Sequence, residues 1–123
     1  MTYGLMVNDL VDKAGKHAKD KGFHDKELSI GEALMLVVSE LSEALEAARN
    51  GRWAGKLLTS DVVCNYSMEK YEALVRGTVE EEIADAVIRL ADFCFRCGID
   101  LEWHIKEKME YNKRRPHLHG KEF

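Results

Sequence analysis

The sequence predicts an all-α fold, a four-helix bundle expected to associate into oligomers, on three observations. Apolar residues recur at three- and four-residue steps through most of the 123 residues, strand-like alternation is almost absent, and the one proline, Pro116, lies near the end. A chain of this length is expected to form a single domain, 1–123, which closes one core yet gains from association.

In the first segment Val7, Leu10, Val11, Ala14 and Ala18 mark a helix that stops at Lys21-Gly22 and is weakened by Gly15. Ser29-Ile30-Gly31-Glu32 is a capping box. Behind it Leu34, Val37, Val38, Leu41, Ala44, Leu45 and Ala48 form the apolar stripe of a second helix, which ends at Asn50-Gly51. From Arg52 to Gly77 the pattern loosens into a connecting loop, with Met68 to Val75 able to form a short helix. Thr78-Val79-Glu80-Glu81 is a second capping box, and the helix behind it runs towards Gly98. Asp100 caps a last helix carrying Leu101, Ile105 and Met109, which continues to about Asn112.

The helix after Thr78 carries two adjoining apolar faces at about 100° per residue. Val79, Ile83, Ala86, Val87, Leu90, Cys94 and Cys97 make one; Ala84, Ile88, Ala91 and Phe95 make the other. Together they exceed half the circumference, so this helix is expected at a homo-oligomer interface, in a homodimer or homotetramer. Its polar wedge holds Glu81, Glu82, Asp85, Arg89, Asp92 and Arg96, of which Glu81, Asp92 and Arg96 are read as solvated.

The net charge of −4, from 18 basic and 22 acidic residues, leaves no broad cationic surface for a nucleic acid polymer. A monomeric nucleotide is the better-matched partner. No apolar run approaches the roughly 18 residues that span a bilayer, and Met1-Thr2-Tyr3-Gly4 shows no signal pattern, so no membrane association and a cytoplasmic location are expected. Cys64, Cys94 and Cys97 form an odd set without a disulfide framework. Cys94-Phe95-Arg96-Cys97 has no second CxxC or His pair to complete zinc coordination, and the cysteines are read as small buried apolar residues.

Two acidic signatures stand out, Glu40-Leu41-Ser42-Glu43 and Glu82-Ile83-Ala84-Asp85. Residues at i and i+3 lie on neighbouring turns of one helix face, so each pair can aim its oxygens in one direction. Converging carboxylates repel, each pair ~4 Å apart by about 4 kcal/mol at an effective dielectric of 20. A divalent cation removes that penalty. The set Glu40, Glu43, Glu82 and Asp85 is therefore expected to bind Mg²⁺ or Mn²⁺, hard ions that commonly serve phosphate chemistry.

These residues resemble the MazG-like nucleotide pyrophosphohydrolases of the all-α NTP pyrophosphatase superfamily, marked by EExxE on one helix and ExxD on the next. The matching stretches are Val38-Ser39-Glu40-Leu41-Ser42-Glu43 and Glu81-Glu82-Ile83-Ala84-Asp85. The ending from Lys108 through Asn112-Lys113-Arg114-Arg115-Pro116 to His119-Gly120-Lys121 is similar to the tail of small members. Ser39 departs from the pattern, standing where the first glutamate often is, and Glu46 extends the acidic series. The resemblance implies hydrolysis of a nucleoside triphosphate substrate to monophosphate and pyrophosphate, with Glu43 accepting the proton of the attacking water. Lys108 and Asn112 step by four on the side of His104 and Leu101, close to the bundle interior. Asn112, Lys113 and Arg115 resemble the family's substrate-contacting tail, Arg115 being suited to bidentate phosphate contact; a basic cluster complementing the helix dipole is the alternative. Phe23 and Trp53 are loop aromatics that either stack on a base or pack ordinarily. The resemblance suggests a deoxynucleotide, a pyrimidine such as dCTP or a damaged base.

Other classes compete. A di-iron site needs Glu-x-x-His on two helices, and no histidine here has Glu three residues before it. His24-Asp25, with His17 upstream, mimics an HD-type metal phosphohydrolase, and a helical adaptor with an acidic face is the non-enzymatic reading.

Overall fold

The computed structural model of the chain describes residues 6–55 and 67–122; Cys64 and the part of the expected loop at 56–66 lie outside the described residues. Among the described residues there are five α-helices: α1 Val7–Asp20, α2 Ile30–Arg49, α3 Met68–Leu74, α4 Val79–Cys97 and α5 Leu101–Lys113, followed by a 3₁₀ turn at His117–Gly120. No strand occurs among the described residues, as the periodicity predicts. The short segment at α3 makes five helices where the bundle count gave four. No described helix is long and apolar enough to cross a membrane.

The capping residues explain where the helices begin. Ser29 Oγ accepts from the Glu32 amide at 3.1 Å, Asp100 Oδ1 from that of Trp103 at 3.1 Å, and Thr78 Oγ1 from that of Glu81 at 3.3 Å. Ser67 does the same for α3 through the Lys70 amide. Each satisfies a first-turn N–H that has no intrahelical partner. At the other ends, Gly51 and Gly98 take φ of +67° and +66°, a left-handed turn that costs glycine little. The chain then folds back so that Arg52 N–H reaches Ala47 O and Ile99 N–H reaches Cys94 O, both at 2.9 Å.

The chain divides into two compact units. One contains α1, α5 and the C-terminal part of α4 from Ala91; the other is Asp25–Leu90, with α2, α3 and the first part of α4.

In the first unit Val11 and Ala14 of α1 pack with Ala91 and Cys94 of α4, joined by Phe95 and Leu101. Gly15 has a reason beyond the weakness it brings to α1: a Cβ there would lie 2.0 Å from Phe95 Cγ. The ring occupies the space that any side chain would need. Helices α1 and α5 also cap one another. Glu102 Oε1 accepts from the Val7 amide at 3.0 Å, while Asn8 Oδ1 accepts from the Glu102 amide at 3.2 Å.

The second unit has a core of small residues, Ala44, Ala47 and Val79, with Ala48 against it. Its large apolar side chains are largely exposed, including Leu34, Val38, Leu41 and Leu45 on α2 and Ile83, Val87, Ile88 and Leu90 on α4. The two apolar faces of α4 are thus only partly used within the chain: Val79, Ala86, Ala91 and Cys94 are buried. Cys97 corrects the expectation of buried cysteines, being exposed in the last turn of α4.

Candidate metal centre

Three consecutive glutamates open α4, and each points to a different task because successive helical residues are rotated by about 100°. Glu80 accepts from the amides of Ala54 and Gly55 at 2.9 and 3.0 Å, fixing the segment after α2. Glu81 accepts from the Gly77 amide at 2.8 Å and from the Tyr71 hydroxyl at 2.6 Å, which ties α3 to the start of α4. That hydrogen bond to a carboxylate, with burial, pushes the Tyr71 hydroxyl up to about 12. Glu81 is therefore an anchor, where the sequence reading had a solvated charge.

Glu82 turns to α2. One carboxylate oxygen each from Glu40, Glu82 and Asp85 lie within 4.8 Å of one another, Glu40 being buried and the other two half-buried. Glu43 is exposed, and its carboxylate acts on both Glu40 and Glu82. Three of the four expected carboxylates, from two helices, therefore come together, and Glu43 lies outside that group of three.

The electrostatics of the cluster are those of crowded like charges. Burial, with Glu43 and Glu40 beside it, raises the Glu82 carboxyl to about 7. Asp85 is also raised, by burial and then by the negative charges of Glu40 and Glu81. Burial works in the same direction on Glu40, but its hydrogen bond with Arg89, aided by Glu82 and Glu43, outweighs this and holds it below its ordinary value. Burial and the neighbouring carboxylates thus favour the protonated form of Glu82. Its Oε2 is buried with no hydrogen-bond partner. A proton or a metal ion is what such an oxygen lacks. Three such oxygens could hold a metal ion.

Arg89 is the member that sequence reading missed. Its Nε donates to Glu40 Oε1 at 2.7 Å. The signal was present: Arg89 follows Asp85 by four residues and Glu82 by seven, which puts all three on one face of α4. Ser39 is turned away, its hydroxyl donating to Leu36 O at 2.7 Å, and Glu46 is exposed beside Arg49 and Asn50. Neither joins the cluster.

The other expected substrate groups divide between the units. Trp53, in the unit that holds the cluster, is 60% exposed; Phe23, in the other, is 63% exposed. Lys108, Asn112, Lys113 and Arg115 belong to the unit of α5. Lys108 was expected close to the bundle interior and is instead exposed, its ammonium 4.7 Å from the Tyr111 ring centre, where the ring face attracts it. Arg115 lies 5.5 Å from the same centre and donates to His119 O. Lys113 pairs with Glu110 at 2.8 Å. Asn112 is half-buried, and its Oδ1 is buried without a donor.

His24 Nε2 meets Asp92 Oδ1 at 2.7 Å, and Arg96 joins them by contacting Asp92 Oδ2 at 3.3 Å and Phe23 O at 2.7 Å. Asp92 and Arg96 are half-buried parts of this network, which corrects their reading as solvated charges. No family model, no curated protein and no solved structure matches the chain.

Proposed function

We propose that the chain is a metal-dependent nucleoside triphosphate pyrophosphohydrolase, cleaving (deoxy)nucleoside triphosphates to monophosphate and pyrophosphate as the MazG-like proteins that it resembles do. A cytoplasmic role in clearing the nucleotide pool accords with that reading. The observation that carries it is the convergence of Glu40, Glu82 and Asp85, together with a buried Glu82 oxygen that has no donor. These three, with Glu43 at the exposed rim, would hold Mg²⁺ or Mn²⁺.

When bound, the ion supplies positive charge to the α-phosphoryl oxygens and lowers the cost of attack there. Glu43 is open to solvent, so a water molecule can reach it. It takes the proton as the water oxygen bonds to the α-phosphorus, while the α–β bridging P–O bond breaks and its electron pair leaves with pyrophosphate. Lys108, Asn112, Lys113 and Arg115 are proposed as substrate-side groups on the resemblance of the tail alone. Phe23 and Trp53 have the exposure that base stacking requires.

The functional unit is a homodimer or homotetramer, supported by the large apolar side chains left exposed on α2 and α4. The adaptor reading fits less well, because a surface for a basic partner would keep its carboxylates apart and solvated, whereas Glu40 is buried. For the HD-type reading, His24 is already engaged by Asp92.

The test is incubation of the purified protein with a panel of nucleoside and deoxynucleoside triphosphates and Mg²⁺, followed by identification of the products. Pyrophosphate with monophosphate is expected. Orthophosphate alone would reject cleavage at the α-phosphorus, and inactivity across the panel would favour the adaptor. Asp85→Asn should lower turnover by about 10²-fold or more while leaving the helical circular dichroism intact.

A further inference from the structure

We infer that Arg89 is the anion contact of the carboxylate site, its Nε holding Glu40 while its outer Nη groups take a phosphoryl oxygen of the triphosphate. This rests on the pyrophosphohydrolase reading and deepens it.

The placement comes from α4, where Glu82, Asp85 and Arg89 follow one another at three- and four-residue steps on one face. A guanidinium carries five N–H donors in a planar fork. Here the contact is made by Nε alone, to Glu40 Oε1 at 2.7 Å, and among the described residues no other acceptor is hydrogen-bonded to Arg89. A salt bridge serving stability alone is best made as a fork, with two parallel N–H groups on two carboxylate oxygens. This side-on contact leaves the Nη edge uncommitted.

The two partners are also unequally covered. The Glu40 side chain is 10% exposed and that of Arg89 is 41% exposed. The carboxylate end of the pair is closed in and the guanidinium end opens to solvent beside the oxygens that would hold the cation. A triphosphate carries more negative charge than one divalent ion neutralises, and arginine adds a positive charge that no physiological pH removes. Glu40 fixes that charge in place, so little side-chain freedom remains to be lost when the anion arrives.

The experiment compares wild type, Arg89→Met and Arg89→Lys by isothermal titration. Each is titrated with Mn²⁺ alone and then, at saturating Mg²⁺, with the α,β-methylene analogue of a deoxynucleoside triphosphate that the wild type turns over. Analogue affinity should fall by about 10-fold or more in Arg89→Met and be partly recovered in Arg89→Lys, which also serves if the Met variant fails to fold. Mn²⁺ should bind Arg89→Met at least as tightly as wild type, because a positive charge has been taken from beside its ligands. Unchanged analogue affinity in Arg89→Met would overturn the assignment. So would a matching loss of Mn²⁺ affinity, which would make Arg89 a positioning residue for Glu40. Absence of turnover in the wild type would remove the pyrophosphohydrolase reading, and this assignment with it, before any variant is compared.

Discussion

At the scale of single residues, Glu82 carries the strongest pH signature. Its carboxyl lies at about 7 in the fold against an ordinary 4.5, so the folded state binds this proton more tightly than the unfolded chain does. Its contribution to metal-free stability is therefore fully present below about 4.5 and is lost as the pH rises through about 7. Asp85 is shifted in the same sense, whereas Glu40 is shifted oppositely and contributes above its ordinary value. Thermal melts in chelator should accordingly show a midpoint that declines across this window for wild type and declines less for Glu82→Gln. Saturating Mg²⁺ should remove the decline in wild type, since the ion takes the place of the proton. Equal pH slopes in the two proteins would mean that Glu82 is not the group under strain. The acidic pairs could be read from the chain because i, i+3 spacing is a local property of a helix. The pairing of Arg89 with Glu40 joins residues on different helices, and only its face on α4 was written locally.

At the scale of helices, local signals again proved the more legible. Ser29, Thr78 and Asp100 each accept the amide bond that their spacing foretold, because capping is decided within four residues. What the sequence hid was why a glycine sits inside α1. Gly15 looks like a propensity defect until Phe95, 80 positions along the chain, is seen against it. Gly15→Ala should therefore destabilise the protein by about 1–3 kcal/mol through overpacking, despite alanine's better helix propensity, and chemical denaturation would measure it. A stabilised variant would show that the ring moves aside freely. The roles of Glu80 and Glu81 were hidden in the same way, since both act on residues outside α4.

At the scale of the whole molecule, the distribution of apolar size is the telling feature. Among the described residues the buried apolar side chains are alanine, valine and cysteine, while many leucines, isoleucines and methionines are exposed. Association would cover them, at about 25 cal/mol for each Å² of apolar surface removed from water. Ile88→Glu should shift the light-scattering mass towards that of a monomer while retaining helical circular dichroism; an unchanged mass would exclude this face of α4 from the interface. The sequence made this surplus of apolar surface visible on α4, but not on α2, because the periodicity of its stripe identifies a face without saying what covers it. Helix α4 itself is unbroken from Val79 to Cys97, giving Val79 to one core and Ala91 and Cys94 to the other. Neither half owns all of its own scaffolding, so the chain offers no seam at which it could be split into two self-sufficient pieces: severing that common beam would leave both fragments short of the same timber.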